Sequence, residues 1–464
     1  MMRSHQSTSR QKTGAQASRI AVIGGGMTGI AAALTLAQHG HAVTLYERET
    51  TLGGLCRPFT WRDVTWDRYY HVILSTDEVL LDFVRELGLS EQLFWRNTKT
   101  GFYGQGRLVS FSSTWDFMTF PFMTLWQKAR LAAGILYISR LKDAAKLDRL
   151  YVRAWLTSVF GRRIYENVWD PLLRSKLGSA REQTSAAFIW ATIARLYGAR
   201  RSSAKIERMG HVHGGYATIL DAAQRRLREL GVTIHCSAPV DEAVATDGAV
   251  TVSVRGSAER YDAALLTTPC PEAGRICRGD RTVEYWRKLH EVQYLRVACV
   301  SLVLSRPLSP YYVTNLLDTS LPFTGVIEAT NIVTPADIGG AHLVYLPKYM
   351  PADDALAEWD DDQILSHFVE KLRGMFPTLE ERHILHRQIF RDTWVQPLQE
   401  VNFLERVAGL RTPLPGVYLV NTSMIYNSTL NNNAAITLAR QACDTLCEDL
   451  ALKNTAPTGI ARPV

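Results

Sequence analysis

The sequence predicts an α/β fold with a second, discontinuous α+β part, and three observations carry that expectation. A short apolar strand, a glycine-rich turn, an uncharged helix and a second strand follow one another within thirty residues after Arg19. Further short apolar runs return near positions 233, 263 and 417. Between them lies a long, basic, helically patterned stretch. A chain of 464 residues has material for two or three domains. Its 46% hydrophobic and 21% charged residues exclude disordered, collagen-like and low-complexity classes. The seven cysteines form no CxxC pair, which argues against a disulfide framework or a structural zinc site and fits a reducing, cytoplasmic setting.

Residues 1–18 are polar and lack the apolar core of a secretory signal, so a disordered leader is expected. Ile20-Ala21-Val22-Ile23 reads as a buried strand, and Gly24-Gly25-Gly26-Met27-Thr28-Gly29 follows it directly. The next helix runs to His39 without a charged side chain and ends at Gly40. Ala42 to Tyr46 is a second strand, closed by Glu47 and Arg48. This is a βαβ unit of the Rossmann type. In Gly24-x-Gly26-x-x-Gly29 the first glycine makes the tight turn, the second admits a pyrophosphate to the backbone, and the third lets helix and strand approach. Glu47 stands where an acid accepts the two hydroxyls of an adenosine ribose.

Beyond Leu52-Gly53-Gly54-Leu55, a hairpin is expected over Phe59–Trp66, a helix over Asp77–Leu87 and a second hairpin around Gly104-Gln105-Gly106. The stretch from Trp126 to Tyr197 has helical spacing. It lies within a block, Pro121 to Gly210, that holds 17 Lys and Arg against 6 Asp and Glu, although the whole chain is only +7. Such a block invites an anionic partner: a substrate phosphate or carboxylate, a lipid-linked substrate, or a membrane surface met peripherally. It carries no nucleic-acid motif, so nucleic acid is not expected. No run approaches the roughly 18 apolar residues of a spanning helix. Later elements are a helix over Ala217–Leu230, strands over Val232–His235, Val250–Val254 and Ala263–Leu266, a strand over Val297–Leu304, a helix over Asp362–Met375, a strand over Val417–Val420 and a helix over Asn433–Leu450. The expected division is leader 1–18, nucleotide-binding part 19–100, basic helical insertion 101–205, nucleotide-binding part 206–274, second substrate part 275–405, a returning nucleotide-binding segment 406–452 and tail 453–464.

The combination of GxGxxG, Glu47-Arg48 at the strand end and Gly53-Gly54 resembles the FAD-binding start of flavin amine oxidases, protoporphyrinogen oxidases, phytoene desaturases and UDP-galactopyranose mutases. It is most similar to bacterial protoporphyrinogen-oxidase-like proteins with an amine-oxidase domain. Asp67-Arg68-Tyr69-Tyr70-His71 stands where that family places a histidine beside the flavin, and Val168 to Gly178 resembles its substrate-domain segment. His213-Gly214-Gly215-Tyr216 followed by Pro239-Val240 is similar to the segment whose Val backbone holds adenine. Pro415 to Asn421 resembles the strand that reaches the isoalloxazine. The resemblance runs from residue 19 to about 450. It implies the two-domain amine-oxidase architecture, noncovalent FAD held by Gly24, Gly26, Met27, Thr28, Gly29, Glu47, Arg48, Gly53, Gly54, Leu55, His71, Val240, Asn421, Leu430 and Asn431, and hydride transfer from a small-molecule substrate to flavin. The alternatives are a flavin-dependent isomerase and a non-catalytic FAD-holding protein that docks on a membrane or partner.

Asn431-Asn432-Asn433 open the last helix with cap-forming side chains, and a helix N-terminus favours negative charge. Flavin amine oxidases usually place an aromatic residue just ahead of this helix, so its replacement by Asn argues against oxidation of a simple amine. Arg174 and Lys176 are the substrate-site candidates, together with His71, and both are expected to face an anionic part of the substrate. Cys56 is expected to be a small buried side chain, as are Cys443 and Cys447. His211 and His213 lack partners at ligand spacing, so no metal is expected.

Overall fold

A computed structural model describes residues 17–141, 144–200, 208–426 and 428–455. Most of the expected leader and tail therefore lie outside the described residues. Five parallel strands form the nucleotide-binding sheet: β1 (Arg19–Ile23), β2 (Ala42–Tyr46), β3 (Thr233–His235), β4 (Ala263–Leu266) and β5 (Val417–Leu419), in the order β3-β2-β1-β4-β5. A parallel sheet must be covered on both faces, and side chains alternate across a strand. Ile20 and Val22 accordingly pack into one core, with α1 (Met27–Gln38), α2 (Gly215–Glu229) and α3 (Asn432–Thr455). Ala21 and Ile23 pack into another, with the antiparallel strands between Val240 and Tyr261.

The uncharged character of α1 follows from this position: nine of its twelve residues are buried. Its Cys443 neighbour on α3 lies with its sulfur 3.6 Å from the Ala32 carbonyl, a core contact. At Gly29 a Cβ would sit only 1.8 Å from the Gly24 carbonyl oxygen, so no larger residue fits without parting helix from turn. The hairpins form at Pro58–Trp61/Val64–Asp67 and Thr100–Gly104/Arg107–Ser110. In the second, Gln105 and Gly106 both take positive φ, as a tight two-residue connection requires.

The second part is built on a seven-stranded sheet. Its central strand, Tyr294–Leu304, pairs antiparallel with Ile384–Pro397 on one side and His342–Met350 on the other. The Thr100–Gly104 hairpin joins the same sheet by pairing parallel with Val313–Leu316. Helix Asp361–Met375 covers one face through Ile364, Phe368 and Leu372. The sheet begins later than position 275, because helix Glu284–Glu291 still packs Trp286 and Leu289 behind the parallel sheet. The basic block folds into helices including Thr114–Thr119, Leu125–Ile138, Val152–Phe160, Asp170–Leu177 and Ala186–Arg200, which share a core with Phe102, Leu295 and Leu398. Among the described residues no helix is long and apolar enough to cross a membrane.

Candidate active site

One continuous cavity of about 1610 Å³ runs between the two parts. Its nucleotide-binding wall begins where β1 gives way to α1. Gly24 holds φ +110°, and Gly53 and Gly54 hold +128° and +55°, conformations that favour glycine. The Gly53 amide donates to the Gly25 carbonyl at 2.8 Å, which presses the glycine pair against the turn. A Cβ on Gly54 would lie 3.1 Å from Gly26 Cα. The result is a bare backbone floor, with the first N–H groups of α1 uncapped by any side chain and no acid in its first turn. Such an end offers donors and positive potential to a pyrophosphate. These residues fit a flavin dinucleotide.

Of the cofactor residues expected from sequence, Gly24, Gly26, Met27, Thr28, Glu47, Arg48, Gly53, Gly54, Leu55, His71, Val240, Asn421, Leu430 and Asn431 all line this cavity. Gly29 does not, because it is spent on the helix–turn contact. Glu47 is buried, and its carboxylate accepts the Gly25 amide at 2.6 Å and the Glu49 amide at 2.8 Å. It therefore shapes the turn. Arg57, which sequence reasoning missed, lines the cavity beside the glycine pair, donates to the Gly54 carbonyl and pairs with Glu49 at 2.6 Å. Asn421 is locked by a 2.7 Å bond to the Thr268 carbonyl. Asn431 caps α3 by accepting the Ala434 amide at 2.8 Å, while Asn433 reaches away to the Leu80 amide.

His71 belongs to a buried cluster. Its Nε2 lies 3.6 Å from Cys56 Sγ and its Nδ1 lies 3.8 Å from Asp67. Asp67 also faces His211 at 3.4 Å and accepts the Tyr216 amide at 2.8 Å. Burial opposes charge on the Asp67 carboxyl, but the His211 and His71 rings outweigh it and bring its pKa down to about 2. Burial likewise opposes the His71 imidazolium, yet the Cys56 sulfur and the Asp67 carboxylate raise its pKa to about 10. Cys56 is buried as expected, and it lines the cavity between His71 and Asn432. His211 is thus tied to Asp67, and His213 pairs with Asp337 at 3.2 Å.

The far end of the cavity is walled by the helical part: Phe111, Phe117, Phe120, Met123, Leu131 and Ile135, then Val168 and Trp169, then Leu172, Lys176, Phe188 and Ile189. Here the two sequence candidates separate. Lys176 faces the cavity, with Nζ 3.2 Å from the centre of the Tyr349 ring, and the Tyr349 hydroxyl meets that of Tyr70 at 3.2 Å. Burial alone brings the Lys176 ammonium down to a pKa of about 7. Arg174 points away: its side chain is 51% exposed and meets Asp170 at 3.5 Å, four residues back on the same helix. Of the two residues expected to face the substrate, Lys176 lines the cavity and Arg174 does not, since residues two apart on a helix lie on opposite sides.

The other cations on the lining all have acidic partners. Arg48 and Arg57 meet Glu49, Arg195 meets Asp77 at 3.0 Å, and Arg391 meets Asp361 at 3.2 Å. Lys176 has none among the described residues.

The model of the family described as flavin containing amine oxidoreductase matches residues 27–446, and the chain belongs to that family. It is 25% identical over 307 residues to a protein of Synechococcus elongatus described as a probable zeta-carotene desaturase, covering 59% of this chain and 62% of that one. It is 24% identical over 294 residues to a mitochondrial protoporphyrinogen oxidase of Nicotiana tabacum, covering 54% and 58%. In both comparisons the matched stretch spans less than two thirds of the curated relative's length. Among solved structures, the cyclohexylamine oxidase of Brevibacterium oxydans IH-35A shares the fold with a TM-score of 0.70 at 15% identity, over 94% of this chain and 100% of that one.

Proposed function

We propose that this chain is an FAD-dependent oxidoreductase that binds FAD noncovalently and oxidises a large, mostly apolar organic molecule bearing one anionic group. The observation that carries the reading is the cavity itself. Pockets for a single small ligand occupy about 300–1,000 Å³, and this one, at about 1610 Å³, has room for a dinucleotide and a second molecule. Bound flavin would supply the hydride acceptor. The protein's part is to hold and orient: the bare glycine floor and the α1 terminus take the pyrophosphate, Glu47 the ribose, and the aromatic wall the apolar body of the substrate. Lys176, the lining cation without an acid, takes the anionic group. His71, whose charged form is favoured by the Cys56 sulfur and the Asp67 carboxylate, places a positive side chain on the cavity wall. Asn431 just ahead of α3 and Asn432 and Asn433 in its first turn, in place of an aromatic cage, speak against a simple amine as substrate.

An anaerobic screen of large apolar carboxylates against their neutral isosteres tests this. Bleaching of the flavin by a carboxylate, and weaker bleaching by its isostere, is expected. Turnover only after the flavin has been reduced chemically would replace the reading by an isomerase, and no response in either state would count against catalysis.

A further inference from the structure

We propose that helices Thr114–Thr119 and Leu125–Ile138 form a docking face for an anionic phospholipid bilayer, set around the mouth of the cavity. These two helices carry a set of large apolar side chains that none of the described residues covers: Trp115 (74% exposed), Met118, Leu125, Trp126 (76% exposed), Leu136 and Tyr137. On the longer helix the outward positions are Leu125, Trp126, Ala129, Arg130, Ala132, Ala133, Leu136 and Tyr137, with Arg130 the one charge among them and Arg140 exposed just past the helix end. A solvated helix reverses that pattern, with polar residues outward.

Three features select a bilayer. Tryptophan and tyrosine prefer the membrane–water boundary, where a ring meets apolar chains on one side and headgroups on the other. The charge is mostly of one sign: from Phe117 to Lys142 the sequence holds Lys128, Arg130, Arg140 and Lys142 and no acid, and Asp116, the one acid on the shorter helix, is half-buried with its carboxylate accepting from Ser110, Ser112 and Ser113. Lys128 is drawn inward to the Met118 carbonyl at 2.6 Å, while Arg130, whose Nε donates to the Val159 carbonyl at 3.4 Å, and Arg140 remain exposed and available to anionic headgroups. A second copy related by a twofold axis would instead bring the same cations against each other. Finally, the face is continuous with the cavity: Thr114, Ala132 and Leu136 are exposed at the surface and also line the interior. An apolar molecule could pass from the bilayer to the aromatic wall without entering water. The proposal concerns the surface and stands apart from the identity of the substrate.

The test uses the full, flavin-loaded chain with vesicles of phosphatidylcholine alone or mixed with phosphatidylglycerol, followed by co-sedimentation. Binding to the mixed vesicles, weakened by high salt, is expected. Trp115→Ser with Trp126→Ser should lower the partition coefficient roughly tenfold or more with flavin content retained, and Arg130→Glu with Arg140→Glu should remove the phosphatidylglycerol-dependent part. Should the tryptophan variant lose flavin, Leu125→Glu at an exposed position makes the same test. A wild-type chain that stays in the supernatant with both vesicles, vesicle binding indifferent to these substitutions, or self-association through Trp126 without vesicle binding would each overturn the proposal.

Discussion

Replacing Lys176 by Met removes one charge from the cavity wall and leaves a side chain of similar length. Burial lowers the ammonium from 10.5 to about 7, which at 1.36 kcal/mol per pH step corresponds to roughly 5 kcal/mol. Attraction to the Tyr349 ring offsets about 1–2 kcal/mol of this while the ammonium is charged, so at most about 3–4 kcal/mol remains. The sign follows from proton binding. Below pH 7 both folded and unfolded chains hold the proton, and the cost of the buried charge is present in full. Between pH 7 and 10.5 the unfolded chain still binds the proton while the folded chain has released it, so wild-type stability rises with pH relative to a variant that binds none. Lys176→Met should therefore be more stable than wild type at pH 6.5, and the difference should shrink steadily towards pH 10. Denaturant titrations of both proteins across this range, without substrate, measure it. A difference that does not change between pH 7 and 10 would show that Lys176 titrates as an ordinary surface lysine and would refute the reasoning.

Gly29→Ala should cost about 1–3 kcal/mol or more and expel the flavin, because its Cβ would meet the Gly24 carbonyl at 1.8 Å; an unchanged melting curve would contradict this. Glu47→Ala strands the Gly25 and Glu49 amides, so both flavin affinity and the stability of the flavin-free chain should fall, by about 1–3 kcal/mol for each buried donor left unpaired. Equilibrium dialysis with FAD and denaturation of the stripped protein separate the two effects. Arg174→Ala should leave KM and flavin content unchanged and alter stability by no more than about 0.5 kcal/mol, since it loses only an exposed ion pair with Asp170. A rise in KM comparable to that of Lys176→Met would return Arg174 to the substrate site.

What the sequence made legible was local. The strand β1, helix α1 and strand β2 are adjacent along the chain, and the turn between them demands glycine for reasons of close approach that hold wherever the motif occurs. The cofactor residues followed, because each sits on or beside such a turn. The seven-stranded sheet was opaque: Thr100–Gly104 pairs with Val313–Leu316 across more than two hundred residues, and nothing in either strand names its partner. The Asp67 cluster was hidden for the same reason, since His211 reaches Asp67 only once strand Arg208–Val212 has paired with Leu93–Asn97. The separation of Arg174 from Lys176 was legible in the sequence. A segment read as helical cannot present positions 174 and 176 to one side, because two residues turn the helix by about 200°.

The central claim, that the cavity between the two parts is a noncovalent FAD site opening onto an apolar substrate pocket, is tested most directly by the cofactor of the purified protein. Acid precipitation followed by mass measurement of the supernatant should release FAD in equimolar amount, and Glu47→Ala should yield less. Flavin retained in the pellet, a mononucleotide in place of FAD, or full occupancy in a Gly29→Ala variant would contradict the account.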